Sequence, residues 1–204
     1  MKFGHSYIRN KKIQKNDPFE WGDAWTYTAV KRDSGFLIAF ACGKRTQNTC
    51  AIIFVRMFEV MELPFPHNPI CISTDGNFQY LDQIRELYCE TCVVYGKVHK
   101  IKSAKRLIEV TYENVIGDAQ KNKISTSVVE GYNNKVRQKI AFFGRKTTAF
   151  SKQMRTHIDR LNIFQWAHNF METKKRENKT PAMMENKAGT IWTWEQFLNH
   201  HISY

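Results

Sequence analysis

The sequence has no long apolar run. Runs such as residues 51–55 are far shorter than the roughly 20 residues that a helix needs to cross a bilayer. The N-terminus also lacks the apolar core of a secretory signal peptide. We therefore expect a soluble, cytoplasmic protein that has no membrane partner.

Cysteines are few, and their spacing is irregular. The five cysteines are an odd number, which argues against a disulfide framework. Cys89 and Cys92 have the spacing of a metal-ligand pair, but no second such pair accompanies them, and His99 alone would leave a zinc site short of four ligands. An enzyme that uses Cys71 or Cys89 with His99 would need a base and an oxyanion hole, and the sequence indicates neither. Buried, reduced thiols are the favoured interpretation.

Acidic residues are outnumbered by basic ones. The chain has 31 Lys and Arg against 19 Asp and Glu, and fourteen of the basic residues with four of the acids lie between residues 121 and 180. Such an uneven excess is typical of a protein that binds a phosphate backbone, although an ordinary solvated helix surface is the alternative. Interleaved phenylalanines would let this segment pack on a core and face a duplex. The basic residues concerned are Lys135, Arg137, Lys139, Arg145, Lys146 and Lys152.

The apolar pattern predicts one α/β domain with strands first and helices later. Strands are predicted at 5–9, at 25–30 and 36–40 around an Asp33-Ser34-Gly35 turn, at 69–74 as a buried strand, and at 92–98. Helices are predicted at 46–62, at 78–88, from 127 with Ser125 or Ser127 as cap, at 151–172, and from 193. Residues 103–119 are ambiguous. This order favours a mixed sheet flanked by helices.

Two acids stand where a metal site could form. Asp75 ends an apolar strand before a glycine turn, and Glu130 lies in the first turn of a predicted helix. Such a pair can hold a divalent metal and leave positions open for phosphate; an Asx turn and a helix-dipole contact are the alternatives. Asn133 and Arg137 follow Glu130 at helical spacing, so we expect all three on one side of the helix. Asn133 would orient the substrate or Glu130, and Arg137 would contact a phosphate. The alternative is that both are ordinary residues of a solvated face.

A series of different short motifs follows a characteristic order over nearly the whole chain. They are residues 22–30, 32–33, Gly43-Lys44-Arg45-Thr46, Thr74-Asp75-Gly76 with Tyr80, residues 124–130 with Asn133 and Arg137, and residues 145–152, 180–183 and 191–193. Each motif is weak alone. Together they resemble the catalytic domain of insertion-sequence transposases of the IS-one type and of their bacterial and archaeal integrase-like relatives.

The resemblance implies a ribonuclease-H-like catalytic domain over residues 1–175, with a short helical C-terminal tail, 176–204, packed on it. It implies a DDE-type DNA transposase that cuts and joins strands with Mg²⁺ (or Mn²⁺) held by two Asp and one Glu, as a homo-oligomer on DNA. The second Asp falls on Asp75 and the Glu on Glu130, as catalytic residues and metal ligands. The DNA-binding residues would be Asn133, Lys135, Arg137, Arg145, Lys146 and Lys152.

The chain departs from the family pattern at the first acid. Lys2 aligns where the first Asp belongs, and an ammonium cannot ligate Mg²⁺. Gly131 replaces an Arg, and Lys31 replaces an Asp. We also expect no counterpart of the N-terminal DNA-binding module that is common in relatives. The chain is therefore expected to be a transposase catalytic domain or a catalytically impaired, transposase-derived DNA-binding protein. We expect weak metal binding and slow or no cleavage, unless Asp33 serves as a substitute ligand.

Overall fold

A computed structural model describes residues 3–6, 23–104, 106–119, 124–144, 153–174 and 176–200. The strands are β1 (Phe3–Ser6), β2 (Asp23–Val30), β3 (Leu37–Gly43), β4 (Ile70–Asp75), β5 (Val93–Ser103) and β6 (Arg106–Ile116). The helices are α1 (Gln47–Val60), α2 (Gln79–Leu87), α3 (Ser127–Lys139), α4 (Met154–Trp166), α5 (Pro181–Met184) and α6 (Trp194–Leu198), and a π-helical segment, Ala167–Met171, continues α4.

The strands form two three-stranded sheets. In the first, β1, β2 and β3 are antiparallel neighbours in that order, and in the second, β4 runs parallel to β5 while β5 and β6 are antiparallel. The β2–β3 turn closes with a hydrogen bond from Gly35 N to Lys31 O of 2.9 Å. Gly35 has φ of 68°, a left-handed conformation that favours glycine. The predicted α/β class with flanking helices is confirmed, but the described strands form two sheets, of which only the second is mixed. A ribonuclease-H-like fold stays a prediction.

One core connects the two sheets through α1. This helix begins after Thr46, whose hydroxyl accepts a hydrogen bond from Thr49 N at 3.3 Å. Its buried face packs against Tyr27 of β2 and joins a cluster that includes Tyr95 of β5. Each large apolar side chain buried there contributes roughly 1.5–3 kcal/mol of transfer free energy. The α1 members of the cluster are Cys50, Ile53, Phe54 and Met57.

A second core covers the other face of the β1–β3 sheet. Leu37 and Phe40 of β3 pack there against side chains of α3 and α4. Asn169 fixes the edge of this layer, because its side-chain amide donates to Leu37 O and accepts from Leu37 N, both at 2.9 Å. With both faces covered, β3 reads as a continuous apolar run. The helical partners are Tyr132, Val136, Leu161 and Phe164.

Several sequence predictions need correction. Residues 103–119 are largely strand β6, which pairs with β5 in a long hairpin. Strand β4 is only half-buried, since β5 is its one paired neighbour among the described strands. Cys50 is buried as expected, but Cys71 on β4 and Cys89 after α2 are exposed. Residues 7–9 of the predicted first strand lie outside the described residues.

The C-terminal segment packs on the rest of the chain. Thr180 caps α5 by accepting a hydrogen bond from Met183 N, and Ala182 is fully buried in the core that contains α1. Trp192 N donates to Phe170 O at 3.0 Å, and Thr193 begins α6 in a capping box. The predicted helix from residue 193 is confirmed. Among the described helices, none combines the length and the apolar character needed to cross a membrane.

Candidate functional site

A cleft of about 810 Å³ lies between α3, β5 and the end of β4. Asp75, the last residue of β4, and Glu130, in the first turn of α3, both line it. The structure therefore brings the two predicted acids to one cleft, at a strand end and on a helix. Basic side chains surround them. These are Arg45, His99, Lys100, Lys102 and Arg137.

The turn after β4 presents oxygen atoms to this cleft. Asp75 Oδ1 accepts a hydrogen bond from Asn77 N at 3.2 Å. This is the Asx-turn contact that was the alternative to metal ligation for Asp75. Asn77 donates its side-chain N–H to Gln79 Oε1 at 3.2 Å, while its own Oδ1 is buried without a partner among the described residues. A buried amide oxygen without a partner is unusual in a folded protein. Asp75 and Asn77 both line the cleft, and the carboxylate of Asp75 is the oxygen ligand that this turn supplies.

Glu130 is held by two side chains. Its Oε1 accepts a hydrogen bond from the Thr126 hydroxyl at 2.9 Å and pairs with the Lys100 ammonium of β5. Both partners of the ion pair are partly exposed, 32% for Lys100 and 40% for Glu130, so the pair contributes at most about 1 kcal/mol to stability. Thr126 is the residue before α3, and its side chain makes no cap hydrogen bond. Of the two predicted caps, Ser125 accepts a hydrogen bond through Oγ from Ser127 N at 3.2 Å. A positive charge thus already lies beside Glu130.

Asn133 and Arg137 line the same cleft as Glu130, as the helix spacing predicted. Asn133 is 1% exposed, and its Oδ1 accepts a hydrogen bond from the Thr28 hydroxyl of β2 at 3.2 Å. Its Nδ2 is buried without a partner among the described residues. Arg137 Nη1 donates to Asn134 Oδ1 at 3.0 Å. The structure therefore leaves an unused donor, Asn133 Nδ2, at a residue that lines the cleft.

Lys135 lies on another face of α3. Its ammonium contacts Glu172 Oε2 at 2.6 Å and His168 Nδ1 at 3.3 Å, and Lys139 pairs with the same carboxylate. The hydrogen bond with His168, and then those with the two lysines, hold the pKa of Glu172 well below its usual range. Lys135 does not line the cleft, and its contact with DNA stays a prediction.

Some predicted residues lie outside the described residues: Lys2, Arg145, Lys146 and Lys152. Asp33, the proposed substitute ligand, lines a neighbouring cavity of about 650 Å³ and not the cleft with Glu130. Asp75 lines both spaces. Within the described ranges no three His, Cys, Asp or Glu side chains come together as a metal-binding group. Two carboxylates are therefore what the described part of the site supplies.

Sequence reasoning missed Lys100 and Lys102 as site residues. The signal was present as the sequence Lys97, Lys100, Lys102, but the strand that carries them gives no hint of its position beside α3. Arg45 was part of a motif and was not assigned to the site.

Comparisons of the chain with protein-family models, with curated proteins and with solved structures find no match. The resemblance to transposases therefore stays a prediction. In the cleft, two carboxylates lie among four Lys and Arg side chains.

Proposed function

We propose that the protein binds DNA in the cleft between α3 and β5, and that Asp75 and Glu130 hold a divalent metal ion there for strand cleavage and transfer. This is the activity of a transposase catalytic domain with a ribonuclease-H-like fold. The observation that carries the proposal is the meeting of the two acids in a cleft that basic side chains also line. The basic side chains attract a polyanion, and the two acids would repel it unless a cation intervened.

The donor atoms at the cleft suit Mg²⁺ or Mn²⁺. Carboxylate and amide oxygens are the ligands that these hard cations prefer, and one or two carboxylates with phosphate oxygens and water complete such sites. Asp75 and Glu130 would hold the ion. When bound, the ion would stabilise charge on the phosphate and lower the pKa of a water molecule.

The surrounding residues would position the nucleic acid. Arg137 would neutralise phosphate oxygens, and its planar guanidinium can do so with two hydrogen bonds. Asn133 Nδ2 is a donor whose position is fixed by the bond from Thr28 to its other amide atom. A substrate oxygen would satisfy this buried donor, which otherwise costs about 1–3 kcal/mol.

A DNA-binding protein with impaired catalysis is the second candidate. The described residues supply two carboxylates at the cleft, and the Lys100 ammonium pairs with one of them. This ammonium would compete with a metal ion for Glu130. The two candidates share DNA binding and differ in metal-dependent cleavage.

A nicking assay on supercoiled DNA with Mn²⁺ separates the candidates. Nicking by the parent chain that disappears in Glu130→Gln, but persists in the exposed-helix control Glu59→Gln, supports the enzyme. DNA binding without nicking in the parent, with nicking gained in Lys2→Asp, supports the impaired protein. A parent chain that fails to bind duplex DNA even at low salt contradicts both.

A further inference from the structure

The β5–β6 hairpin ends in a tip, residues 100–108, whose described residues, 100–104 and 106–108, are exposed. The tip contains Lys100, Lys102, Lys105 and Arg106, and it has no acidic residue. It also exposes three large apolar side chains, which is unusual for a surface element of a soluble domain unless the surface binds something. They are Ile101 (49% exposed), Leu107 (53%) and Ile108 (66%).

The backbone of the tip is a tight turn next to a bulge. Ser103 pairs with Arg106 across the turn, and Ala104 has φ of 47°, as two-residue hairpin turns require at one or both central positions. The register shifts at Ile101 and Lys102, which leaves Ile108 as the extra residue on β6. A bulge increases the local twist and redirects side chains. The exposure of Ile108 therefore follows from the backbone of the tip.

The base of the hairpin is fixed to the cleft. Val98 packs with Ala119 and Ile124, and Gly96 approaches Ile124 so closely that a Cβ there would lie 2.6 Å from the Ile124 side chain. The Lys100 ammonium pairs with Glu130, and β5 lines the cleft through Lys102. The tip therefore continues the wall of the cleft outward into solvent.

We propose that the hairpin tip is a second DNA contact, a two-stranded arm that follows the duplex beyond the cleft. Lys102 and Arg106 would contact phosphates, because both are exposed and neither forms an ion pair with a described residue. Leu107 and Ile108 would pack in a groove, as apolar side chains of minor-groove binders do. The proposal rests on the proposed function only in that both require duplex binding.

The charge of the tip decides for nucleic acid over a second copy of the chain. Four basic residues within seven positions would repel the same tip of another molecule, since the chain carries a net charge of +12. A polyanion removes this repulsion and releases its own counterions. Two-stranded β-ribbons also have the width of a DNA groove.

Duplex binding as a function of salt tests the arm. The variant Lys102→Gln with Arg106→Gln should lower affinity by tenfold or more and reduce the slope of log K against log salt by about 2, since each phosphate contact contributes roughly 0.9. Leu107→Ser with Ile108→Ser should weaken binding several-fold and leave the slope unchanged. Arg85→Gln with Lys179→Gln, and Leu63→Ser with Leu198→Ser, are exposed controls of the same chemistry elsewhere.

Three results would overturn the arm, each in a distinct way. Tip variants that bind like their controls would show that the tip does not touch DNA. A parent chain that sediments as a dimer, and becomes monomeric in Leu107→Ser with Ile108→Ser at unchanged DNA affinity, would make the tip a self-association surface. A parent that binds no duplex refutes the proposed function as well, whereas Glu130-dependent nicking with unaffected tip variants refutes the arm alone.

Discussion

Helix α3 carries polar residues on two faces, and their surroundings differ. On one face, Lys135 and Lys139 pair with Glu172 and thereby fasten α3 to the segment after α4. On the other face, Asn133 has a buried donor, Nδ2, without a partner among the described residues. Glu130, on the same face, pairs with Lys100 of β5. The first face has its charges satisfied within the chain. The second face has a hydrogen-bond donor that a ligand could use. This difference between the faces indicates the position of the site better than the number of basic residues does.

Removing the charge of Glu172, the partner of Lys135 and Lys139, should have the largest effect on stability. Glu172→Gln keeps the shape of the side chain but removes the charge that both lysines face. Since Glu172 is 24% exposed, we expect the free energy of unfolding to fall by about 2 kcal/mol. Urea denaturation of the variant and the parent at neutral pH measures this. An unchanged midpoint would show that the paired face does not stabilise the fold.

The same carboxyl predicts a pH dependence. The pKa of Glu172 is lowered in the folded state, so its contribution is present above the ordinary carboxyl range, roughly pH 4.3, and is lost as the pH falls below it. The parent should lose stability on acidification from pH 5 downward more steeply than Glu172→Gln. Equal slopes for the two chains in this window would refute the assignment.

Adding a methyl group at Gly96 of β5 should destabilise the protein by between about 1 and 2 kcal/mol, because the position is already closely packed. Gly96→Ala would place a Cβ 2.6 Å from Ile124 side-chain atoms and displace β5 from its support. Gly131→Ala on α3 is the matched control, because nothing lies within 4 Å of its Cβ position. This control should gain about 0.5–1 kcal/mol, as Ala is the better helix former. Thermal unfolding of both variants decides; a loss in both would contradict the packing account.

Tyr132 and Asn133, which are adjacent in α3, provide a matched pair of variants for the two faces of the helix. Tyr132 has a buried hydroxyl without a partner among the described residues, and burial raises its pKa, but Tyr132 does not line the cleft. Tyr132→Phe should therefore leave duplex affinity unchanged and alter stability by less than about 1 kcal/mol. Asn133→Ala loses the bond from Thr28, about 1 kcal/mol, and should also weaken duplex binding. Equal duplex affinity in the two variants would remove Asn133 from the site.

The smallest stability effect is expected at Lys100. Lys100→Met removes the ammonium beside Glu130 and keeps the length of the side chain, at a cost below about 1 kcal/mol because the pair is partly exposed. Affinity for Mn²⁺ should rise, since the competing cation is gone. Mn²⁺ titration followed by electron paramagnetic resonance measures it. A weaker Mn²⁺ affinity in the variant would show that Lys100 does not oppose the metal.

The sequence predicted elements whose signals are local. The β2–β3 hairpin, helix α1, and the positions of Asp75 and Glu130 at a strand end and on a helix all follow from periodicity and turn residues. The long hairpin was ambiguous because much of β6 is exposed and has no clear apolar alternation. Partners distant in sequence were also missed, including the Lys100–Glu130 pair and the Lys135–Glu172 pair, because periodicity carries no information on which elements meet.

The most direct test of the account is whether Asp75 and Glu130 bind the same metal ion. Mn²⁺ affinity is measured for the parent, Asp75→Asn, Glu130→Gln and the double variant, with Glu59→Gln as control. We predict weak binding in the parent, a loss of about tenfold, or roughly 1.4 kcal/mol, in each single variant, and a double variant little worse than either, since one ion depends on both ligands. Mn²⁺ binding that is equal in the parent and the double variant would show that Asp75 and Glu130 do not hold the ion.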